Sequence, residues 1–206
     1  MSLENADSYF EKNVFINCPF DKDYHSLLRP LLFTIAYLGF TPRIASERSD
    51  SGEIRVHKIC ELVSTSRYSI HDLSRFQSRG KGEFYRMNMP FELGIEYGCR
   101  YFSSDRLREK RCLILGKGRY EYIKALSDLS GVDIKSHNNE PPGIVRAVRD
   151  WFVETVGLRG IDSSTRIWYQ FTDFAEEFYS RRQSEGFTDD DLNMMPIPEY
   201  VHFIKD

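Results

Sequence analysis

Along most of the chain, short apolar runs alternate with segments whose apolar residues recur every three or four positions. Residues 14–18 (VFINC) form a β-branched and aromatic run that stops at Pro19, the pattern of a buried strand. After the turn PFDKD, Leu27, Leu28, Leu31, Leu32, Ile35 and Leu38 mark a helix ended by Gly39. Pro30 inside this pattern predicts a late start or a kink. A second strand is expected in TPRIASE (41–47), and a second helix over 49–67, where Val56, Ile59, Cys60 and Val63 share a face. Tyr68 to Leu73 reads as a third strand and 75–87 as an exposed loop. Asn88 is expected to cap the next helix, with Pro90 in its first turn. CLIL (112–115) is a fourth strand, 120–131 a helix ending at Gly131, and VDIKSH (132–137) a fifth strand. The helix after it carries Ile144, Val148, Trp151 and Phe152 and runs to Gly157.

Strand and helix alternate five times, with connections too long for hairpins. That implies an α/β fold, a flavodoxin/Rossmann-like three-layer sandwich with a five-stranded parallel sheet, over residues 12–157. Residues 158–206 have a different texture and are expected to form a C-terminal helical extension. Thr165 to Arg182 places Ile167, Trp168, Phe171, Phe174, Ala175 and Phe178 at helical spacing. Residues 185–206 then carry Glu185, Asp189, Asp190, Asp191, Glu199 and Asp206 against the single base Lys205, and read as an acidic tail. Phe171, Phe174 and Phe178 either form a stripe for self-association or pack on the chain's own helices.

Composition narrows the function. A net charge of -3 provides no field for holding a polyanion, so nucleic acid and anionic membranes are not expected partners. No run reaches the ~18 apolar residues of a membrane span. The start MSLENADSYFEKN lacks a signal-peptide pattern, and Cys18, Cys60, Cys99 and Cys112 include no CxxC pair; a reducing cytoplasm is the expected location. No metal is expected.

In an open parallel sheet, ligands bind beyond the carboxyl ends of the strands. Three segments should therefore converge: Asn17, Cys18, Pro19, Phe20, Asp21 and Asp23; His71, Asp72, Ser74 and Arg75; and Arg86, Asn88, Met89 and Glu92. The first loop has no glycine, so it is neither a GxGxxG fingerprint nor a P-loop. Glu92 is expected in the first turn of its helix, near the positive end of the helix dipole, with Asp72 sharing the same crevice. Two carboxylates without a metal suit cleavage of an N-glycosidic bond, one stabilising the ribosyl cation and the other orienting hydroxyls. His71 is either an acid or base, or a strand histidine satisfied by its neighbours. Cys18 is either a nucleophile or a small buried residue. Arg75, Arg79, Lys81 and Arg86 make the third loop basic, which suits a phosphate-bearing ligand or a solvated loop.

These residues carry a resemblance. VFINCPFDKDYHSLLRPLLFTIAYLGFTPRIA resembles the start of a Toll/interleukin receptor (TIR) domain. ICELVSTSRYSIHDLS is similar to the segment where a TIR helix delivers a Ser-Arg pair into the third strand, and MPFELGIEYG to the helix bearing the TIR glutamate. The same pieces resemble nucleoside 2-deoxyribosyltransferases. The resemblance spans about residues 13–157, and in both families the essential carboxylate maps onto Glu92. The TIR resemblance implies cleavage of NAD as substrate, with no cofactor, to ADP-ribose or a cyclic isomer. It also implies a homo-oligomer and a role in bacterial antiphage defence. Under that reading the 17–23 loop holds ribose and phosphate, and Asp72 or Ser74 orients the hydroxyls. The transferase resemblance implies nucleoside or nucleotide deoxyribosyl transfer instead, and a noncatalytic nucleotide-sensing or self-assembling module is the third alternative.

Overall fold

A computed structural model describes residues 9–75, 87–103, 105–118 and 126–205. It contains one sheet of β1 (Asn13–Asn17), β2 (Thr41–Ile44), β3 (Tyr68–Asp72), β4 (Arg111–Gly116) and β5 (Lys135–Ser136). All neighbours are parallel, in the order β2-β1-β3-β4-β5. This is the doubly wound, flavodoxin-like order, whose reversal point lies between β1 and β3. The α/β Rossmann-like fold read from the sequence is the fold of the chain.

The side-chain alternation of each strand explains the layers. Val14, Ile16, Ile70, Leu113 and Leu115 form one core with α1 (His25–Tyr37) and α4 (Pro141–Trp151). On the opposite face, Phe15 packs with α2 (Arg55–Ser64), and Ile114 with α3 (Asn88–Phe102). β1 and β3 are buried along their whole length, as expected for strands covered on both faces.

Several boundaries differ from the sequence reading. The first helix does not start late: a 3₁₀ turn at Lys22–Tyr24 leads into α1, which continues through Pro30. Burial of Leu27, Leu28, Leu31, Leu32 and Ile35 on the sheet outweighs the roughly 3 kcal/mol that an interior proline costs a helix. β2 ends at Ile44 and turns into a 3₁₀ segment; it is an edge strand, where Pro42 is tolerated. α2 begins only at Arg55, because Asp50 accepts the Gly52 N–H at 2.8 Å and forms a local turn ahead of it. β5 is reduced to two residues, since the chain leaves the sheet through Asn138 and Asn139, both left-handed at φ 55° and 58°. Of the helix expected over 120–131, residues 120–125 lie outside the described residues; the rest, 126–131, forms only a 3₁₀ turn at Ser127–Leu129.

The C-terminal region is also more ordered than an acidic tail. α5 (Ser164–Ser184) is followed by α6 (Asp189–Asn193) and α7 (Ile197–Lys205). Thr188 and Asp191 form a reciprocal capping box that starts α6, so this acid serves the helix rather than a partner. Leu192 and Tyr200 are buried in the same core as Val14 and Leu31. The Arg29 guanidinium lies over the Tyr179 and Tyr200 rings, 5.3 and 5.1 Å from their centroids, and donates to Tyr179 Oη and the Leu192 carbonyl. The phenylalanine stripe of α5 is not a free contact surface. Phe171 and Phe178 are buried, with Phe171 against Phe33 and Phe178 against Tyr200, because α1 and α7 offer the apolar area that would otherwise face solvent. Among the described residues, no helix is long and apolar enough to cross a membrane.

Candidate functional site

The carboxyl ends of β1 and β3 lie side by side, with Asn17 paired to His71. Both side chains turn to the α2/α3 face, in phase with Phe15, whose ring meets His71 edge-on at 5.9 Å. Asn17 Nδ2 donates to His71 Nδ1 at 3.0 Å and to the Met89 carbonyl at 2.9 Å. One amide thus joins β1, β3 and the start of α3, and it leaves the neutral His71 proton on Nε2. Burial pushes the His71 pKa down to about 3, reinforced by the charge of Lys110. The ring is therefore a neutral donor near pH 7 and has no proton to pass as an acid. The alternative of a satisfied strand histidine holds for Nδ1; Nε2 has no hydrogen-bond partner among the described residues.

Glu92 is buried on the inner side of α3. It is the fifth helical residue, not part of the first turn as expected, so the helix dipole is not what tunes it. Asn88 is likewise not the cap: Met87 stands there without a side-chain cap bond, while Asn88 is the first helical residue and hydrogen-bonds Glu92 one turn on. Burial raises the Glu92 pKa, and the nearby Arg55 guanidinium and the Asn88 bond offset this only in part. A carboxyl poised in this way readily gains a proton or a cation.

Asp72 does not share that crevice. It turns to the other face of the sheet, fully buried, where the Tyr24 hydroxyl donates to Oδ2 and the Ser74 N–H donates to Oδ1 at 2.8 Å. His137 Nε2 lies 3.1 Å from Oδ2. Burial alone would raise the Asp72 pKa, but His137, Ser74 and Tyr24 outweigh it and hold the group below the usual range. Asp72 is an ionised bracket joining three loops, with its oxygens occupied. The expected carboxylate pair is separated by the pleat, which sends Asp72 and its neighbour His71 to opposite faces.

Sequence reasoning overlooked Tyr24 and His137. The signal for His137 was the Asn138-Asn139 pair, whose left-handed turn brings the Asn139 N–H onto His137 Nδ1 at 3.0 Å and directs a proton on Nε2 toward Asp72. Gly143 permits this, since a β-carbon there would meet the His137 carbonyl at 2.4 Å. Nδ1 is thus engaged by the backbone, while Nε2 stands at ion-pair distance from Asp72 without hydrogen-bond geometry.

The remaining expected residues divide by burial. Cys18, Pro19 and Met89 are buried, and Cys18 packs in the core with its thiol pushed well up by burial and by Asp72 and Glu92. It is the small buried residue, not a nucleophile. Phe20, Asp21, Asp23, Ser74 and Arg75 reach the surface. Arg75 Nη1 lies 3.2 Å from Asp21 and 3.9 Å from Asp23, which brings the first and third loops together as expected. Arg86, Arg79 and Lys81 lie outside the described residues. Behind the site, one turn beyond Glu92, Lys110 Nζ lies 3.4 Å from Glu96 and donates to the Val63 and Ser66 carbonyls, with both charged side chains buried. Among the described residues, no group of three or more His, Cys, Asp or Glu side chains is placed to hold a metal. Comparison with protein-family models, with curated proteins and with solved structures finds no match to the chain.

Proposed function

We propose that the protein cleaves the N-glycosidic bond of a nucleotide with a cationic base, NAD being the leading substrate. The observation that carries this reading is Glu92, a buried carboxyl with a raised pKa, on the helix that the Asn17–His71 pair anchors through the Met89 carbonyl at the reversal point of the sheet. A desolvated carboxyl favours a ligand that brings positive charge, because the cation restores its ionised form. In the proposed reaction the bond between the nicotinamide nitrogen and ribose C1′ breaks, and its electron pair leaves with neutral nicotinamide. Positive charge passes to the ribose C1′–O4′ unit, where the Glu92 carboxylate stabilises it. Water then adds at C1′ and loses a proton, which Glu92 accepts and releases, giving ADP-ribose. Addition of a ring nitrogen of the same molecule gives the cyclic isomer instead. Asn17 anchors the start of α3, and the Arg75–Asp21 loop supplies polar groups for ribose and phosphate.

The deoxyribosyltransferase reading is disfavoured by the protons it needs. A neutral purine or pyrimidine leaves readily only when protonated. His71, at about 3, and Asp72, held ionised, have no proton to give. Mass spectrometry of products after incubation with NAD and a nucleoside panel tests the proposal. Nicotinamide with ADP-ribose or its cyclic isomer is expected, and Glu92→Gln should reduce its formation by ~100-fold or more. Release of nucleoside bases without nicotinamide, or NAD loss at the wild-type rate in Glu92→Gln, overturns it.

A further inference from the structure

Two carboxylates stand one turn apart on the inner side of α3, and their counter-ions differ in kind. Glu96 faces Lys110, a sealed cation locked by two backbone carbonyls. Glu92 faces Arg55, whose Nη2 lies 3.6 Å from Oε1. The Arg55 side chain is 55% exposed and that of Glu92 3%. The separation exceeds the ~2.7–2.9 Å of a charge-assisted hydrogen bond. Arg55 is the first residue of α2, flanked by the exposed Ile54 and Val56, so its side chain can swing into water without unpacking the core. The turn before it is tied down independently by the ion pairs of Arg48 with Glu53 and Glu61.

We propose that Arg55 is a displaceable counter-ion: it pairs with Glu92 in the free protein and yields that position to the positively charged ring of the substrate. The proposal rests on the N-glycosidase reading above and adds the residue that sets its selectivity. A buried carboxylate stripped of its cation is costly. A ligand carrying its own ring cation can replace Arg55 with charge conserved at Glu92. A neutral ring must either leave Arg55 in place and share the space, or strand the carboxylate. The raised proton affinity of Glu92 agrees with Arg55 being a partly solvated cation that offsets its burial incompletely.

The test is binding, so that it does not depend on turnover. The probes are carbocyclic nicotinamide mononucleotide, which has a cationic ring and no cleavable N-glycosidic bond, and its 1,4-dihydro form, which has the same phosphate and a neutral ring. Both are titrated calorimetrically into the full chain and into Arg55→Met, which keeps the stem and removes the charge. Arg55→Met should raise the preference for the cationic over the neutral probe by about fivefold, as expected for removal of one partly exposed competing cation. In a Glu92→Gln background that gain should disappear. An unchanged preference overturns the proposal. So does equal weakening of both probes, which would make Arg55 a phosphate contact, or failure of either probe to bind. Absence of NAD turnover with the preference shift intact would reject the glycosidase reading and leave cation selection by Arg55 standing.

Discussion

His137 Nε2 lies 3.1 Å from Asp72 Oδ2, with both side chains sealed from solvent, although one residue ends β3 and the other follows β5. Tyr24, from the turn ahead of α1, donates to the same oxygen. Three loops on the carboxyl edge of the sheet are thus tied to one carboxylate.

Removing that carboxylate should be costly. Asp72→Ala leaves the buried Tyr24 hydroxyl without its acceptor and the buried His137 ring without its carboxylate neighbour, and should destabilise the fold by about 3–5 kcal/mol. Tyr24→Phe, which deletes a single bond, should cost about 1 kcal/mol. Because the folded-state pKa of Asp72 is depressed, its stabilisation is present above the ordinary Asp value near ~3.9 and is lost as pH falls through the depressed value. Urea unfolding across pH reads both effects. An Asp72→Ala midpoint equal to wild type would show that the bracket holds nothing.

Glu92 should behave in the opposite sense. Its folded-state pKa is raised, so its contribution is most favourable below the ordinary Glu value near ~4.3 and is lost as pH rises through the raised value. Glu92→Gln is therefore expected to be more stable than wild type at pH 7, with the difference shrinking as pH approaches 4. Lower stability of the variant at pH 7 would mean that Arg55 and Asn88 repay the burial of the charge in full, contrary to the site described.

The C-terminal helices should be part of the folding unit. Leu192 is fully buried beneath Arg29 and Tyr200 in the core that also holds Val14 and Leu31. Leu192→Ala should cost about 2–4 kcal/mol by leaving a cavity. It should also shift the whole unfolding transition and not merely fray the end of the chain. Circular dichroism and tryptophan fluorescence followed together distinguish the outcomes: two separate transitions would make α6 and α7 an independent appendage.

The parallel sheet could be read from the sequence because local patterning settles it. VFINC and CLIL are apolar on both sides, and a strand buried on both faces needs nothing more specific than that. Glu92 was recognisable as a candidate because it follows Pro90 near the start of a helix that opens at the carboxyl edge of the sheet. Its tuning was misjudged, since the helix begins only one residue before Met89 and the effective agent is burial, a property of the packed layers.

The sequence by itself determined the alternation of elements, the sheet they form, and the loops and termini that gather at its carboxyl edge, because periodicity and turn chemistry act over a few residues. Tertiary structure decided which side each polar group serves. Neighbours His71 and Asp72 part to opposite faces, Asp72 is bound by Tyr24 and His137, Glu92 receives Arg55 from α2, and the acidic tail closes as helices over α1. These outcomes depend on burial and on partners distant in the chain, and the strength of a buried charge is set by whatever surrounds it rather than by its sequence neighbours.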